Sequence, residues 1–151
     1  MKRIIYMVFM NLFHAPVWLL KIARMARPGD NHTMQQRYDY IAEMTRRIIK
    51  RGRVTIKVTG VEHIPEKDGF MLFPNHQGLF DVLALFSTCP KALSVVIKKE
   101  ASGWILVKQV LGATGSLAMD RKDMKDQVRI IGEVTRLVKE GRNFVIFAEG
   151  H

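Results

Sequence analysis

Phe70-Met71-Leu72-Phe73-Pro74, then Leu79-Phe80-Asp81-Val82-Leu83-Ala84-Leu85-Phe86-Ser87-Thr88, then Leu93-Ser94-Val95-Val96-Ile97 are the runs that decide the fold of this chain. The first and last are short and apolar, as expected of strands buried on both faces. The middle run is long enough for a helix and ends before Pro90. A strand, a helix and a strand in close succession imply parallel pairing across a helical crossover.

The same alternation continues downstream. Gly103 to Leu111 reads as a helix closed by Gly112, and Ser116 to Met119 as a short strand. A helix from Asp123 to Glu140 places Val128, Ile131, Val134 and Val138 on one face, with Gly141 as its stop. Phe144 to Phe147 is a further buried strand. Upstream, Val54, Ile56 and Val58 alternate with polar residues, which predicts a strand with one exposed face. The expected fold is therefore α/β, a mostly parallel sheet flanked by helices and preceded by N-terminal amphipathic helices. In such sheets ligands bind beyond the carboxyl ends of the strands. The chain stops at Glu149-Gly150-His151, directly after a strand. Further site loops and elements are therefore expected to follow, and the core is read as incomplete at its C-terminus.

Residues 1–52 read as basic amphipathic, membrane-associating helices and residues 53–151 as the α/β core. Lys2-Arg3 precedes an apolar stretch from Ile4 to Leu20 that Asn11 and His14 interrupt. No small-residue cleavage site follows it, and the run is short and impure for a span of ~20 apolar residues. A helix lying in or dipping into a membrane interface is the reading that fits, with a short true anchor as the alternative. Pro28-Gly29-Asp30-Asn31 breaks the chain, and Thr33 then caps a helix running towards Arg51 and stopped by Gly52. Its apolar stripe is Met34, Tyr38, Ile41, Met44 and Ile48. That stripe serves either a core-packed surface helix or a second membrane-contacting helix. Charge favours the second.

The formal net charge is +10 over 151 residues. Met1 to Lys57 holds twelve Lys/Arg against three acids, whereas Val58 to His151 holds twelve against eleven. A basic block beside apolar stretches suits an anionic membrane surface. Nucleic-acid modules more often interleave basic strands with stacking aromatics, so no nucleic-acid partner is expected. Cys89 is the one cysteine; it excludes an internal disulfide, fits a reducing compartment and reads as a buried small hydrophobe.

Pro74 sends the chain out of its strand, so Asn75 and His76 fall at the carboxyl edge of the sheet. Asp81 follows five residues after His76. On one continuous helix those side chains would stand roughly 140° apart. They meet only if His76 lies in a loop and Asp81 in the first turn of the next helix, with Gly78 supplying backbone freedom. A carboxylate bonded to one imidazole nitrogen leaves the other as a base. This is the His-Asp half of a hydrolase triad, yet no Gly-x-Ser-x-Gly elbow supplies a nucleophile. The substrate's own hydroxyl can take that place, which makes the reaction a transfer to an alcohol. Hydrolysis, with water as acceptor, is the nearest enzymatic alternative.

Asn75-His76-x4-Asp81 resembles the His-x4-Asp motif of the glycerolipid acyltransferases, the family of 1-acyl-sn-glycerol-3-phosphate acyltransferase. Lys98-Lys99-Glu100, Gly103-Trp104-Ile105-Leu106 and Leu111-Gly112 resemble the segment that follows it. Gly115-Ser116-Leu117-Ala118-Met119-Asp120-Arg121 resembles the second motif, and Phe147-Ala148-Glu149-Gly150 the start of the third. Ala148 stands where that family usually has Pro, and His151 where it usually has Thr. The resemblance implies that His76 deprotonates the acceptor hydroxyl and Asp81 holds the imidazole. It implies that Arg121 binds the glycerol phosphate, with Asn75, Glu149 and Gly150 also lining the substrate site. The implied acceptor is lysophosphatidic acid. The donor is an acyl thioester on acyl carrier protein or coenzyme A. No cofactor and no metal are implied, and the place of work is the cytoplasmic face of a membrane. A non-catalytic protein that binds anionic membranes, or an acyltransferase with another lysophospholipid acceptor, are the competing readings.

Overall fold

The computed structural model describes residues 2–75, 78–103 and 105–147. Its helices are α1 (Lys2–Asn11), α2 (Ala15–Met25), α3 (Met34–Arg51), α4 (Leu79–Thr88), α5 (Ile105–Thr114) and α6 (Met124–Lys139). The strands are β1 (Met71–Leu72), β2 (Leu93–Lys98), β3 (Leu117–Met119) and β4 (Asn143–Ile146). They form one sheet in the order β1-β4-β2-β3, and every pairing is parallel. The strands therefore share one carboxyl edge, as an α/β fold requires.

Alternate residues along the strands supply the two faces. Leu93, Val95, Val145 and Phe147 pack with Trp18, Ile22, Tyr38, Ile41, Met44, Phe86 and Ala113, so α2 to α5 cover one side. Val96 and Phe144 pack with Ile130, Val134 and Leu137, so α6 covers the other. The stripe of α3 is thus core: Tyr38, Ile41 and Met44 are buried in the protein, and that helix does not turn its apolar face to a membrane. Cys89 is also buried, with its thiol pushed up by burial, and its carbonyl accepts from the Tyr38 hydroxyl.

Several helix limits follow the local signals. Thr33 caps α3 through the Gln36 N–H, and the Gln36 side chain accepts from the Thr33 N–H in return, a full capping box. Asp123 caps α6, and Gly141 ends it in the left-handed region at φ 92°.

Other expectations need correction. The apolar N-terminal run is two helices, because Pro16 begins a new one after the turn at residues 12–14. Val54 to Val58 pairs with no neighbouring strand among the described residues, and alternation alone makes no ladder. β1 is an edge strand with half-buried residues, and Phe73 beyond it is 63% exposed rather than buried. Gly112 lies inside α5, which runs on to Thr114 and stops at Gly115. On α6 the buried set is Ile130, Val134 and Leu137, while Val128 and Ile131 face outward at 67% and 57% exposure.

The amino edge of the sheet is closed by two polar side chains. Asn143 accepts from the Gly69 N–H at 2.8 Å and donates to Asp68 and to the Ala92 carbonyl, both at 3.1 Å. Arg142 donates to Ser94 Oγ, the Thr114 carbonyl and the Gly115 carbonyl at 2.7, 3.0 and 2.8 Å. Between them these residues join the starts of all four strands.

Candidate active site

At the carboxyl edge, β1 leads into Phe73, Pro74 and exposed Asn75. His76 lies outside the described residues, and so do Glu149 and Gly150 just beyond β4. The segments that carry them leave adjacent strands, since Met71 and Leu72 pair with Phe144 and Val145. The strands that precede the first and third motifs in the chain are thus neighbours.

Asp81 occupies the first turn of α4, as its spacing from His76 predicts. Its Oδ2 accepts from the Gly78 N–H at 3.0 Å, and its own N–H donates to the Gly78 carbonyl at 3.1 Å. The carboxylate is thereby drawn back along the helix towards its N-terminus at Gly78. The helix dipole favours a negative charge there, and an N–H that would otherwise lack a partner at the helix start is satisfied. Gly78 does this in extended backbone, φ 168°, which any residue adopts. The special freedom expected of that glycine is therefore not what the turn uses.

Arg121 follows β3, at the far edge of the sheet, and is half-buried. Its Nη2 donates to the Phe147 carbonyl at 3.4 Å. The guanidinium therefore reaches across the end of β2 to the end of β4, where Ala148-Glu149-Gly150 begin. This places a planar fork of donors over the carboxyl edge, the geometry suited to phosphate oxygens.

The loop that carries Arg121 is held by residues that sequence reasoning did not single out. The Asp120 N–H donates to Asp126 Oδ2 at 2.8 Å, and Gln127 Nε2 donates to the Arg121 carbonyl at 2.8 Å. Asp120 Oδ1 accepts from the Lys122 N–H, which lowers the carboxyl below its usual range; Lys99 at 3.4 Å adds to this. The first turn of α6 thus fixes the position of Arg121. Asp126 and Gln127 stand where an acid and an amide habitually bond the preceding loop, which was the available signal. Among the described residues no group of His, Cys, Asp or Glu gathers that could hold a metal ion.

The profile of the Acyltransferase family matches residues 55–151. The chain belongs to the acyltransferase family. Among curated relatives, the 1-acyl-sn-glycerol-3-phosphate acyltransferase of Borreliella burgdorferi is 27% identical over 97 residues, covering 64% of this chain and 39% of the relative. The enzyme of that name from Helicobacter pylori is 32% identical over 76 residues, covering 50% of this chain and 32% of the relative. The chain therefore spans well under half the length of these acyltransferases. No solved structure matches it significantly.

Proposed function

We propose that this chain is the catalytic part of an acyltransferase that moves a fatty acyl group from an acyl thioester to the hydroxyl of a lysophospholipid. The acceptor is 1-acylglycerol 3-phosphate and the product phosphatidic acid. The observation that carries the reading is the gathering at one sheet edge of Asp81, bonded to the Gly78 N–H at the start of α4, and Arg121, extended to Phe147. His76 takes the proton of the acceptor hydroxyl while Asp81 holds the ring and balances its positive charge. The alkoxide oxygen attacks the thioester carbonyl, and the tetrahedral intermediate collapses to the ester. The thiol of coenzyme A or acyl carrier protein departs with the proton that His76 returns. Arg121 holds the acceptor phosphate, with Asn75, Glu149 and Gly150 beside it. This chemistry calls for no cofactor and no metal.

The exposed apolar residues of α1, α2 and the turn between them support a membrane setting. Phe9, Leu12, Phe13, Val17 and Leu20 face outward, with exposed Lys21, Arg24 and Arg27 close by. No helix among the described residues is long and apolar enough to cross a membrane. An interfacial pair of helices fits both facts. It would deliver lysophospholipid to the site from the cytoplasmic leaflet, with α1 and α2 as the membrane-associating part and α3 packed into the catalytic core.

The test is transfer of a palmitoyl group from coenzyme A or acyl carrier protein to lysophosphatidic acid by the full-length protein, followed as phosphatidic acid formed. His76→Ala is expected to lower turnover by about 10²–10⁴-fold with the thermal unfolding midpoint unchanged. Substantial turnover by a folded His76→Ala protein would overturn the mechanism. Vesicle binding without turnover in the unmodified protein would favour the non-catalytic alternative.

A further inference from the structure

A second cationic site lies away from the carboxyl edge. The last turns of α3, the end of α4 and the segment after α3 enclose an open cleft of about 570 Å³. Arg46, Lys50 and Arg53 line it together with Thr55 and the Ser87-Thr88 end of α4. Arg46 is partly committed, donating to Glu43 and to the Ser87 carbonyl. The Ser87 and Thr88 hydroxyls already donate to the Ala84 carbonyl. The donors that face the cleft are therefore chiefly Lys50, Arg53 and Thr55.

Arg53 is the residue that ties this cleft to its surroundings. It ends α3 in a Schellman arrangement: its N–H donates to the Lys50 carbonyl and the Val54 N–H to the Ile49 carbonyl. The position takes φ 53°, where glycine is the residue of least cost and an arginine carries roughly 1–2 kcal/mol of strain. Its guanidinium lies 5.8 Å from the ring centroid of Tyr6 on α1. Tyr6, Phe9 and Met10 form the outward face of that helix, Phe13 is exposed in the turn after it, and Met7 packs inward against Gly52. One wall of the cleft thus borders the apolar surface of α1.

We propose that Arg46, Lys50 and Arg53 form a binding site for the phosphate of an anionic phospholipid headgroup, separate from the reaction site. The inference rests on the membrane docking of α1 and α2 proposed above. A lipid, rather than free phosphate, is the occupant because Arg53, which lines the cleft, also reaches Tyr6 on the exposed apolar face of α1. A headgroup can fill the cleft while its acyl chains lie against that face. Bound there, the lipid fixes the roll of the protein on the membrane surface.

The test is co-flotation of the full-length protein with vesicles of phosphatidylcholine alone and with about one-third phosphatidylglycerol. The Lys50→Gln/Arg53→Gln variant leaves the Arg46 bond to Ser87 intact, and the triple variant adds Arg46→Gln. Arg129→Gln/Arg136→Gln/Lys139→Gln on the outer face of α6 removes the same charge elsewhere. The cleft variants are expected to lose the preference for anionic vesicles by about tenfold or more, with binding to neutral vesicles unchanged. The α6 variant keeps the preference. Equal losses in the α6 and cleft variants, or a preserved preference in the triple variant, overturn the site. Saturable binding of inorganic phosphate that the cleft variants abolish, without change in vesicle preference, overturns the lipid as occupant. Failure of the unmodified protein to float with any vesicle overturns the membrane docking itself, a different result from loss of the anionic increment alone.

Discussion

The two edges of the sheet are built from similar residues and put to opposite uses. At the amino edge, Asn143 and Arg142 spend their polar groups on the protein, joining Gly69, Ala92, Ser94, Thr114 and Gly115. At the carboxyl edge, Asp81 and Arg121 sit on a helix start and a loop, each positioned by neighbours and each directed towards the strand ends. A buried polar group left unpaired costs about 1–3 kcal/mol, so the amino edge tolerates little change. The carboxyl edge can hold reactive groups because the other edge keeps the strands in place.

Three substitutions would break or sharpen this contrast, beyond His76→Ala. Asp81→Asn is expected to have the largest effect, lowering turnover by about 10²–10⁴-fold, while the amide oxygen still accepts from the Gly78 N–H and the unfolding midpoint changes little. A turnover within threefold of the unmodified protein would remove Asp81 from the mechanism. Asn143→Ala strips partners from the Gly69 N–H, Asp68 and the Ala92 carbonyl, and is expected to cost roughly 2–4 kcal/mol in urea unfolding. If acyl transfer fell in the Asn143→Ala protein while its stability held, the division of labour between the edges would be wrong. Gly115→Ala is the smallest, at roughly 1–2 kcal/mol. Gly115 sits at φ 56°, where a Cβ is strained and would also run into the Arg142 guanidinium. An unchanged urea midpoint would show that the clamp can shift without cost.

The difference between the edges also explains what was legible. Element order, the Thr33 cap, the limits of α4 and the placing of Asp81 all follow from local chemistry that the sequence carries. What failed depends on partners distant in the chain. Val54 to Val58 alternates correctly but finds no neighbouring strand among the described residues. α6 carries two apolar stripes, and only contact with Val96 and Phe144 selects the one through Ile130, Val134 and Leu137. The stripe of α3 is amphipathic in either setting, and packing against α4 and the sheet decides that it is core. Arg142 and Asn143 head an apolar strand directly after Gly141, and a polar pair at a strand start has no meaning until its neighbours are known. Of the candidate site, Asn75, Asp81 and Arg121 fall at the carboxyl edge as their motifs predict, while His76, Glu149 and Gly150 lie outside the described residues.

The sheet order has a kinetic consequence. β1 pairs with β4 alone among the described strands, and Gly69 and Asn143 are 74 residues apart in the chain. Helices can form and β2 can find β3 while β1 still lacks a neighbour, since short loops close before long ones. β1 is therefore expected to gain its neighbour only when β4 slots between β1 and β2. The strand that comes first in the chain is thus expected to be the last to gain its partner.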